Sequence, residues 1–177
     1  EIMGWIDFGG GQELWDELSG QFGVKAIQGA NTGHQMGGWF RKEINSLDDL
    51  VGLKMRIPGQ GGDVLRALGG SAISLSGGEI YQALQTGSID ATEWGTLYEN
   101  MTTGFHKVAK YVIIPGVHQP TAPFELVINK KAWEALSKAD QDMVSMAAKM
   151  VTLESWLIVG QEDAKALEFY KQAGNEI

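Results

Sequence analysis

Short apolar runs alternate with segments of helical periodicity between residues 46 and 94. Residues 53–57 (LKMRI), 71–75 (SAISL) and 88–94 (SIDATEW) are such runs, and glycine, proline or serine lies beside each of them. Runs of this kind predict strands. The two segments between them carry apolar residues three and four positions apart, as helices do. The order strand, helix, strand, helix, strand with short connections predicts a parallel sheet with right-handed crossovers.

The helices of this region have recognisable beginnings and ends. Ser76 and Glu79 form a complete S-x-x-E capping box, and Gly87 can end the helix that follows. Ser46 and Asp49 form a similar S-x-x-D start for a one-turn helix ahead of the first strand. Val64, Leu65 and Leu68 form the predicted apolar face of the first crossover helix, and Ile80, Ala83 and Leu84 of the second are predicted to point inward.

Outside this region the pattern predicts a short helix within residues 9–23, four more strands and two C-terminal helices. The strands are predicted at residues 24–29, 37–44, 106–116 and 124–130. Asn129 caps a short helix, and Ser137 with Asp140 starts a second helix that runs to about Gln172. The predicted apolar face of this last helix consists of Met143, Ala147, Met150, Leu157 and Ala164. At ~1.5 Å per residue it is roughly 50 Å long, so we expect it to brace two lobes or to contact a partner chain.

Composition excludes several classes of partner and site. The 177 residues carry a net charge of −8, and a nucleic-acid partner is therefore not expected, because phosphate binding requires a basic face. The chain has no cysteine, which excludes thiol catalysis, thiolate metal sites and disulfide bonds.

The familiar short motifs of enzymes are absent. Gly59 and Gly61 fit the start of a dinucleotide-binding G-x-G-x-x-G, but Val64 stands at the third glycine, so a tight strand-to-helix turn is the better interpretation. That turn still presents free N–H groups at a helix N-terminus, which can hold an anion. His34, His106 and His118 are far apart in sequence, with no H-E-x-x-H, and no G-x-S-x-G occurs.

Four polar residues in apolar or glycine-rich contexts are candidates for ligand binding. Arg56 interrupts an apolar strand, where it is either a structural pairing partner or a bidentate clamp for a carboxylate. Gln35 lies in GANTGHQMGGWF, which is either a polar loop or an amide aimed at a ligand. Glu93 and Glu125, in ATEWG and APFELVI, are each solvated or, if they converge with Gln35, form an oxygen site for Na⁺, Ca²⁺ or Mg²⁺. Trp94, followed by glycine, is either core or a pocket wall.

The stretch GANTGHQMGGWFRKEINSLDDLVGLKMRIPGQGGDVLRALGGSAISLSGGEIYQALQTGSIDATEW resembles the extracytoplasmic solute receptors (DctP-type) of tripartite ATP-independent periplasmic (TRAP) transporters. The segment KKAWEALSKADQDMV adds to the resemblance, which is specifically to the branch that binds 2-oxo acids or lactate. It implies a class II periplasmic-binding-protein-like α/β fold with two lobes, a hinged cleft and a long C-terminal helix. Because family receptors are longer, it also implies that one lobe is incomplete, with the N-terminal portion missing and the chain ending soon after the long helix.

The resemblance assigns a role to each candidate. It implies that Arg56 in MRIPG clamps the substrate carboxylate, with Asn31, Gln35, Trp94 and Tyr98 also contacting the substrate. Gln35, Glu93 and the main chain of Trp94 would bind a sodium or calcium ion that bridges to the substrate, with Glu125 as a further metal ligand.

The implied protein is a periplasmic binding protein that performs no chemistry. It would bind a small monocarboxylate, a 2-oxo acid such as pyruvate or lactate, deliver it to the TRAP permease membrane subunits, and form a homodimer through the long helix. The alternative is a metal-dependent enzyme acting on 2-oxo acids, in which the same arginine and metal would polarise a carbonyl. We expect residues 1–30 and 95–130 in one lobe, residues 31–94 in the β-α-β-α-β lobe, and residues 131–173 as the bracing helix.

Overall fold

The computed structural model describes all 177 residues and divides them into two compact units. The first unit comprises Glu1–Thr32 and Ala122–Ile158, and the second comprises Gly33–Thr121 and Val159–Ile177. In chain order the elements are α1 (Ile2–Phe8), α2 (Gly11–Gly20), β1 (Val24–Asn31), β2 (Gly38–Phe40), β3 (Lys54–Arg56), α3 (Gly59–Ala67), β4 (Ser71–Ile73), α4 (Gly77–Thr86), β5 (Ala91–Thr92), α5 (Leu97–Asn100), β6 (Tyr111–Ile113), β7 (Pro123–Asn129), α6 (Lys130–Glu134) and α7 (Lys138–Gln172). Two short 3₁₀ turns lie at Leu47–Leu50 and Phe105–Lys107.

The first unit contains a two-stranded antiparallel sheet made by β1 and β7. Val24 lies opposite Asn129 and Asn31 opposite Pro123, with a shift of register between Gln28 and Ala30. Both strands were predicted from their apolar runs. The strands are far apart in sequence, so their pairing brings the two halves of this unit together.

The second unit is built on a five-stranded sheet in the order β4-β3-β5-β2-β6. β3 pairs with β4 and with β5 in parallel, and β2 pairs antiparallel with β5 and with β6. The predicted β-α-β-α-β order is therefore confirmed, and α3 and α4 are its crossovers. The parallel arrangement brings the carboxyl ends of β3 and β5 to one edge of the sheet.

The predicted helix starts are confirmed as capping boxes. Ser76 and Glu79 cap α4, with the Ser76 N–H donating to Glu79 Oε2 at 3.0 Å. Ser46 and Asp49 form the same arrangement at the first 3₁₀ turn. Hydrogen bonds from Ser76 hold the pKa of Glu79 below its ordinary value, as expected for a carboxylate that accepts N–H and O–H groups. α4 ends at Gly87, whose φ of 78° is left-handed.

The second unit has two hydrophobic clusters, one packed against α4 and the end of α7 and the other containing Leu65 of α3. Ile80 and Leu84 of α4 are fully buried in the first cluster, as predicted. Trp39 and Tyr170 pack edge to face with ring centroids 4.9 Å apart. The Trp39 indole N–H donates to Asn100 Oδ1 at 3.0 Å, so the buried polar groups are matched.

The buried faces of α3 and α7 differ from their predicted apolar faces. In α3 the buried residues are Gly62 and Leu65, whereas Val64 is 57% exposed. In α7 the predicted apolar residues Met143, Met150 and Leu157 are exposed, while Ala148 and Thr152 are buried. Apolar residues occur all round α7, so its periodicity does not single out the face that packs.

The predicted boundaries also differ from the observed ones, and the strand expected at residues 106–116 is observed only at Tyr111–Ile113. The strand expected at residues 37–44 ends at Phe40. Residues 95–121, which we expected with residues 1–30, are grouped with Gly33–Thr121 instead. The reason is that β6 pairs with β2, an association between distant segments that local sequence does not encode. Residues 122–130 do fall with the first unit.

α7 is long and apolar enough to cross a bilayer by length and composition, with a mean hydropathy of 1.3 in its most apolar window. A single helix of this kind is weak evidence for a membrane span. In this chain Lys149 and Glu154 interrupt the apolar stretch, and the Lys149 ammonium forms an ion pair with Asp7 at 2.8 Å.

Candidate ligand-binding site

Arg56 ends β3 at the carboxyl edge of the second unit's sheet. Its Nη1 donates to the main-chain oxygen of Glu93 at 2.8 Å, and its Nε lies 3.5 Å from the main-chain oxygen of Leu75. The guanidinium is thus fixed against the ends of the two neighbouring parallel strands. A guanidinium has five N–H donors, so these two contacts leave donors available for an anion.

Glu93 follows β5 at the same edge and is 4% exposed. Its N–H donates to the main-chain oxygen of Arg56 at 3.0 Å, which fixes the ends of β3 and β5 side by side. The Glu93 Oε2 lies 3.7 Å from Arg56 Nη1, beyond ordinary hydrogen-bond length. A buried carboxylate requires a counter-charge, and Arg56 supplies it.

Trp94 forms the exposed wall of this group. The residue is 40% exposed, and the Arg56 guanidinium carbon lies 5.2 Å from the ring centroid, within range of a cation–π contact. A Cβ at Gly77 would lie only 2.6 Å from the ring, so the glycine at the start of α4 makes room for the indole. The three residues predicted at the strand ends therefore come together.

Gln35 is buried on the loop between β1 and β2, and this loop adjoins the same edge of the sheet. The N–H of the next residue, Met36, donates to the main-chain oxygen of Gly95 at 3.1 Å. Gln35 itself is tied through its main chain: its N–H donates to Pro120 O at 3.1 Å, and its carbonyl accepts from Gly116 N–H at 2.8 Å. The loop is therefore held between the residues after β5 and the residues after β6.

His118 also belongs to this group, although it is not among the predicted site residues. Its Nε2 lies 3.7 Å from Glu93 Oε1, on the carboxylate oxygen that Arg56 does not approach. The sequence contains no motif around His118 that reveals this proximity. It depends on the chain after β6 folding back beside Gln35.

Tyr98 is held at the start of α5, where its N–H donates to Asp163 Oδ1 at 2.7 Å. Burial raises the pKa of Asp163, opposed by hydrogen bonds from Tyr98 and Thr96. Burial likewise raises the pKa of the neighbouring Glu99, opposed by a hydrogen bond from Thr96, and the Asp163 charge raises it further. These carboxyl groups anchor the turn that carries Tyr98, and the phenol ring itself is partly exposed.

The two remaining predicted residues belong to the first unit. Asn31 is buried at the end of β1, and its N–H donates to Ser155 Oγ at 3.0 Å. Glu125 is exposed on β7, where its Oε1 accepts from the Trp15 indole N–H at 3.1 Å. Of the predicted residues, the second unit therefore holds Gln35, Arg56, Glu93, Trp94 and Tyr98.

The donor set of the second unit suits a hard cation rather than a transition metal. No group of three or more His, Cys, Asp or Glu side chains that would hold a metal occurs in the chain. Glu93 contributes a buried carboxylate, and Gln35 an amide. Sodium and calcium accept such oxygens together with main-chain and ligand oxygens, so these residues fit a cation completed by the ligand.

The chain belongs to the DctP family of bacterial extracellular solute-binding proteins (family 7), whose model matches residues 3–177. This is a family of binding proteins rather than enzymes, as the sequence resemblance implied.

Individual members of the family are similar to most of this chain. A monocarboxylate 2-oxoacid-binding periplasmic protein of Nostoc sp. is 42% identical over 161 residues, which cover 90% of this chain and 43% of the relative. A TRAP periplasmic solute-binding protein of Colwellia psychrerythraea, solved with bound calcium and pyruvate, is 39% identical with a TM-score of 0.89, covering 97% of this chain and 52% of that one. A homologue from Pseudoalteromonas atlantica, solved with bound sodium and pyruvate, is 40% identical with a TM-score of 0.85, covering 94% and 50%.

A third solved structure is a TRAP transporter solute-binding protein of Bordetella bronchiseptica. It is a dimer with calcium and picolinate in one site, is 39% identical with a TM-score of 0.90, and is matched over 98% of this chain and 52% of its own. The predicted α/β fold of TRAP solute-binding proteins is therefore confirmed. The chain spans about half the length of the relatives it matches.

Proposed function

We propose that this chain is part of a TRAP solute-binding protein that binds a small 2-oxo or 2-hydroxy monocarboxylate, such as pyruvate or lactate, together with a sodium or calcium ion. The observation that carries the proposal is the meeting of Arg56 and Glu93 at the carboxyl ends of β3 and β5, with Trp94 against the guanidinium. Arg56 supplies charge and fixed donors to a carboxylate.

The local charge explains how an acidic protein binds an acidic ligand. Arg56 and Glu93 together are neutral, so a carboxylate alone would gain little net attraction. A cation on Glu93 restores a positive charge at the site and, when bound, supplies electrostatic attraction for the carboxylate and the oxygen at carbon 2. Gln35, Glu93 and the main chain of Trp94 would hold this cation. The calcium or sodium found with pyruvate in the related structures supports this pairing of metal and ligand.

The residues of this site also argue against the enzyme alternative. Chemistry on a 2-oxo acid requires a general acid or base positioned at the reacting atoms. Glu93 is already committed to Arg56 and to the proposed cation, and the family consists of binding proteins. We therefore retain binding and delivery to the TRAP permease, in the periplasm, as the function.

We also propose a homodimer through α7. Large apolar side chains of α7 are exposed, among them Met143, Met146, Met150 and Leu157, and exposed apolar patches of this kind mark interaction surfaces. The dimeric state of the Bordetella relative supports the proposal. Analytical ultracentrifugation of the intact protein tests the dimer, and a protein that sediments as a monomer at all concentrations would contradict it.

The function is tested by calorimetric titration of the intact protein with pyruvate and lactate, in sodium-free buffer with calcium, with sodium, and with a chelator. We expect saturable one-site binding that either cation supports and that chelation with sodium removal abolishes. Binding that survives removal of both cations would contradict the metal. Conversion of pyruvate during prolonged incubation would instead support the enzyme alternative.

A further inference from the structure

The His118 ring presents a buried nitrogen that the protein does not use. Its Nε2 is inaccessible to solvent and has no hydrogen-bond partner, and its side chain is 12% exposed. Leaving a buried polar atom unmatched costs about 1–3 kcal/mol, and buried polar atoms in native proteins nearly always have partners. An unmatched ring nitrogen beside a proposed ligand site therefore points to a partner that arrives with the ligand.

The orientation of the ring is fixed by its neighbours. A Cβ placed on Gly61 would lie 3.4 Å from His118 Cδ2, so the ring lies against the first turn of α3. The main chain on both sides of His118 is tied to Gln35, through the Gly116 N–H on one side and the Pro120 carbonyl on the other. The nitrogen is thus directed by packing and main-chain hydrogen bonds.

The surroundings of Glu93 are rich in donors. Arg56 lies 3.7 Å from one carboxylate oxygen and His118 Nε2 lies 3.7 Å from the other. Both separations exceed a hydrogen bond, so the carboxylate does not satisfy the histidine. An oxygen of a small anion held by Arg56 would give the imidazole N–H the acceptor it lacks.

We infer that His118 is a further ligand-binding residue of the proposed monocarboxylate site, donating from Nε2 to an oxygen of the bound 2-oxo or 2-hydroxy acid. The inference rests on the proposed function. It gives the ligand two nitrogen donors, Arg56 and His118, that approach different oxygens of Glu93. A hydrogen bond of this kind to a charged ligand is worth about 10- to 150-fold in affinity.

The direct test is nitrogen NMR of the imidazole rings in the ¹⁵N-histidine-labelled intact protein. The chain has three histidines, and a His118→Gln sample identifies the His118 signals. With calcium present, adding pyruvate should shift the His118 Nε2 resonance and leave those of His34 and His106 in place. Calcium alone, bound at the neighbouring Glu93, should shift it less than calcium with pyruvate does. A shift with calcium alone that pyruvate does not increase would overturn the inference.

Affinity provides the second readout. His118→Phe keeps a ring but removes both nitrogens, and its dissociation constant for pyruvate should rise about 10- to 150-fold. The matched control, His106→Gln, changes a histidine that packs on Phe169 and Tyr170 and should bind as the wild type does. Wild-type affinity in His118→Phe, or an unmoved His118 resonance in the wild type, would overturn this inference alone. Absence of pyruvate and lactate binding in the wild type would overturn the proposed function as well.

Discussion

Replacing Arg56 by lysine tests the proposed site most sharply, because it keeps the charge and removes the geometry. The guanidinium donates from Nη1 to the Glu93 main-chain oxygen at 2.8 Å, and its Nε lies 3.5 Å from the Leu75 main-chain oxygen. Its remaining N–H groups stay available to a ligand in a fixed plane. A lysine ammonium has three N–H donors on one nitrogen, so it cannot give the ligand carboxylate two parallel hydrogen bonds while it also supports the end of β5.

The magnitude follows from the hydrogen bond that is lost. A charge-assisted hydrogen bond contributes about 1.5–3 kcal/mol, so losing one weakens binding about 10- to 150-fold at roughly 1.4 kcal/mol per tenfold. The Arg56 side chain is largely buried, so hydrogen bonds to water make up for little of the lost binding free energy. The contact of the guanidinium with the Trp94 ring is changed as well, and this removes about 0.5–1 kcal/mol that holds the Arg56 side chain in place before the ligand binds.

The assay is calorimetric titration of pyruvate into Arg56→Lys with calcium present, with thermal unfolding to show that the variant is folded. The matched control is Arg66→Lys on α3, where the guanidinium pairs with Asp63 at 2.6 Å on the surface. We expect wild-type affinity in the control, because exposed ion pairs contribute little. If Arg56→Lys binds pyruvate within twofold of the wild type, Arg56 does not clamp the carboxylate.

Three further changes test the cation, the core and the buried carboxyl groups. Glu93→Gln removes the charge proposed to hold the cation, so pyruvate binding should lose its calcium dependence in titrations with and without chelator; unchanged sensitivity would remove Glu93 from the metal site. Asn100→Ala leaves the buried Trp39 N–H without its acceptor, so denaturant unfolding should show a loss of about 1–3 kcal/mol, and a loss under about 0.5 kcal/mol would contradict the matched pair. Burial raises the pKa of Glu99 and Asp163, so the folded state holds these protons more tightly than the unfolded state does. Their contribution to stability is therefore present at low pH and is lost as the pH rises above the ordinary pKa values, 3.8 for Asp163 and 4.5 for Glu99, and through the raised pKa of each group. Glu99→Gln should flatten that decline in melting temperature, and an unchanged slope would refute the assignment.

The sequence predicts the parts of this structure that depend on neighbours along the chain. The capping box of Ser76 and Glu79, the end of α4 at Gly87 and the inward positions of Ile80 and Leu84 all follow from local rules. The order of strands and crossovers between residues 46 and 94 also follows, because right-handed parallel crossovers leave few alternatives. With it comes the position of Arg56 and Glu93 at one edge of the sheet.

Other features required the tertiary structure. Val64 has the same apolar character as Leu65 but lies on the exposed side of α3, and α7 packs through Ala148 and Thr152 while its larger apolar residues are exposed. Local periodicity cannot identify the packed side of a helix when apolar residues occur all round it. Residues 95–121 belong with the second unit because β6 pairs with β2.

By itself, then, the sequence determined the β-α-β-α-β unit, its helix ends and the arginine, glutamate and tryptophan at its strand ends, since each depends on spacing along the chain. Only the tertiary structure decided that His118 lies 3.7 Å from Glu93. That contact joins residues 25 positions apart, and it depends on main-chain hydrogen bonds between the Gln35 loop and residues 116–120. Such long-range pairings are selected by the packing of the whole unit, and no local pattern in the chain specifies them.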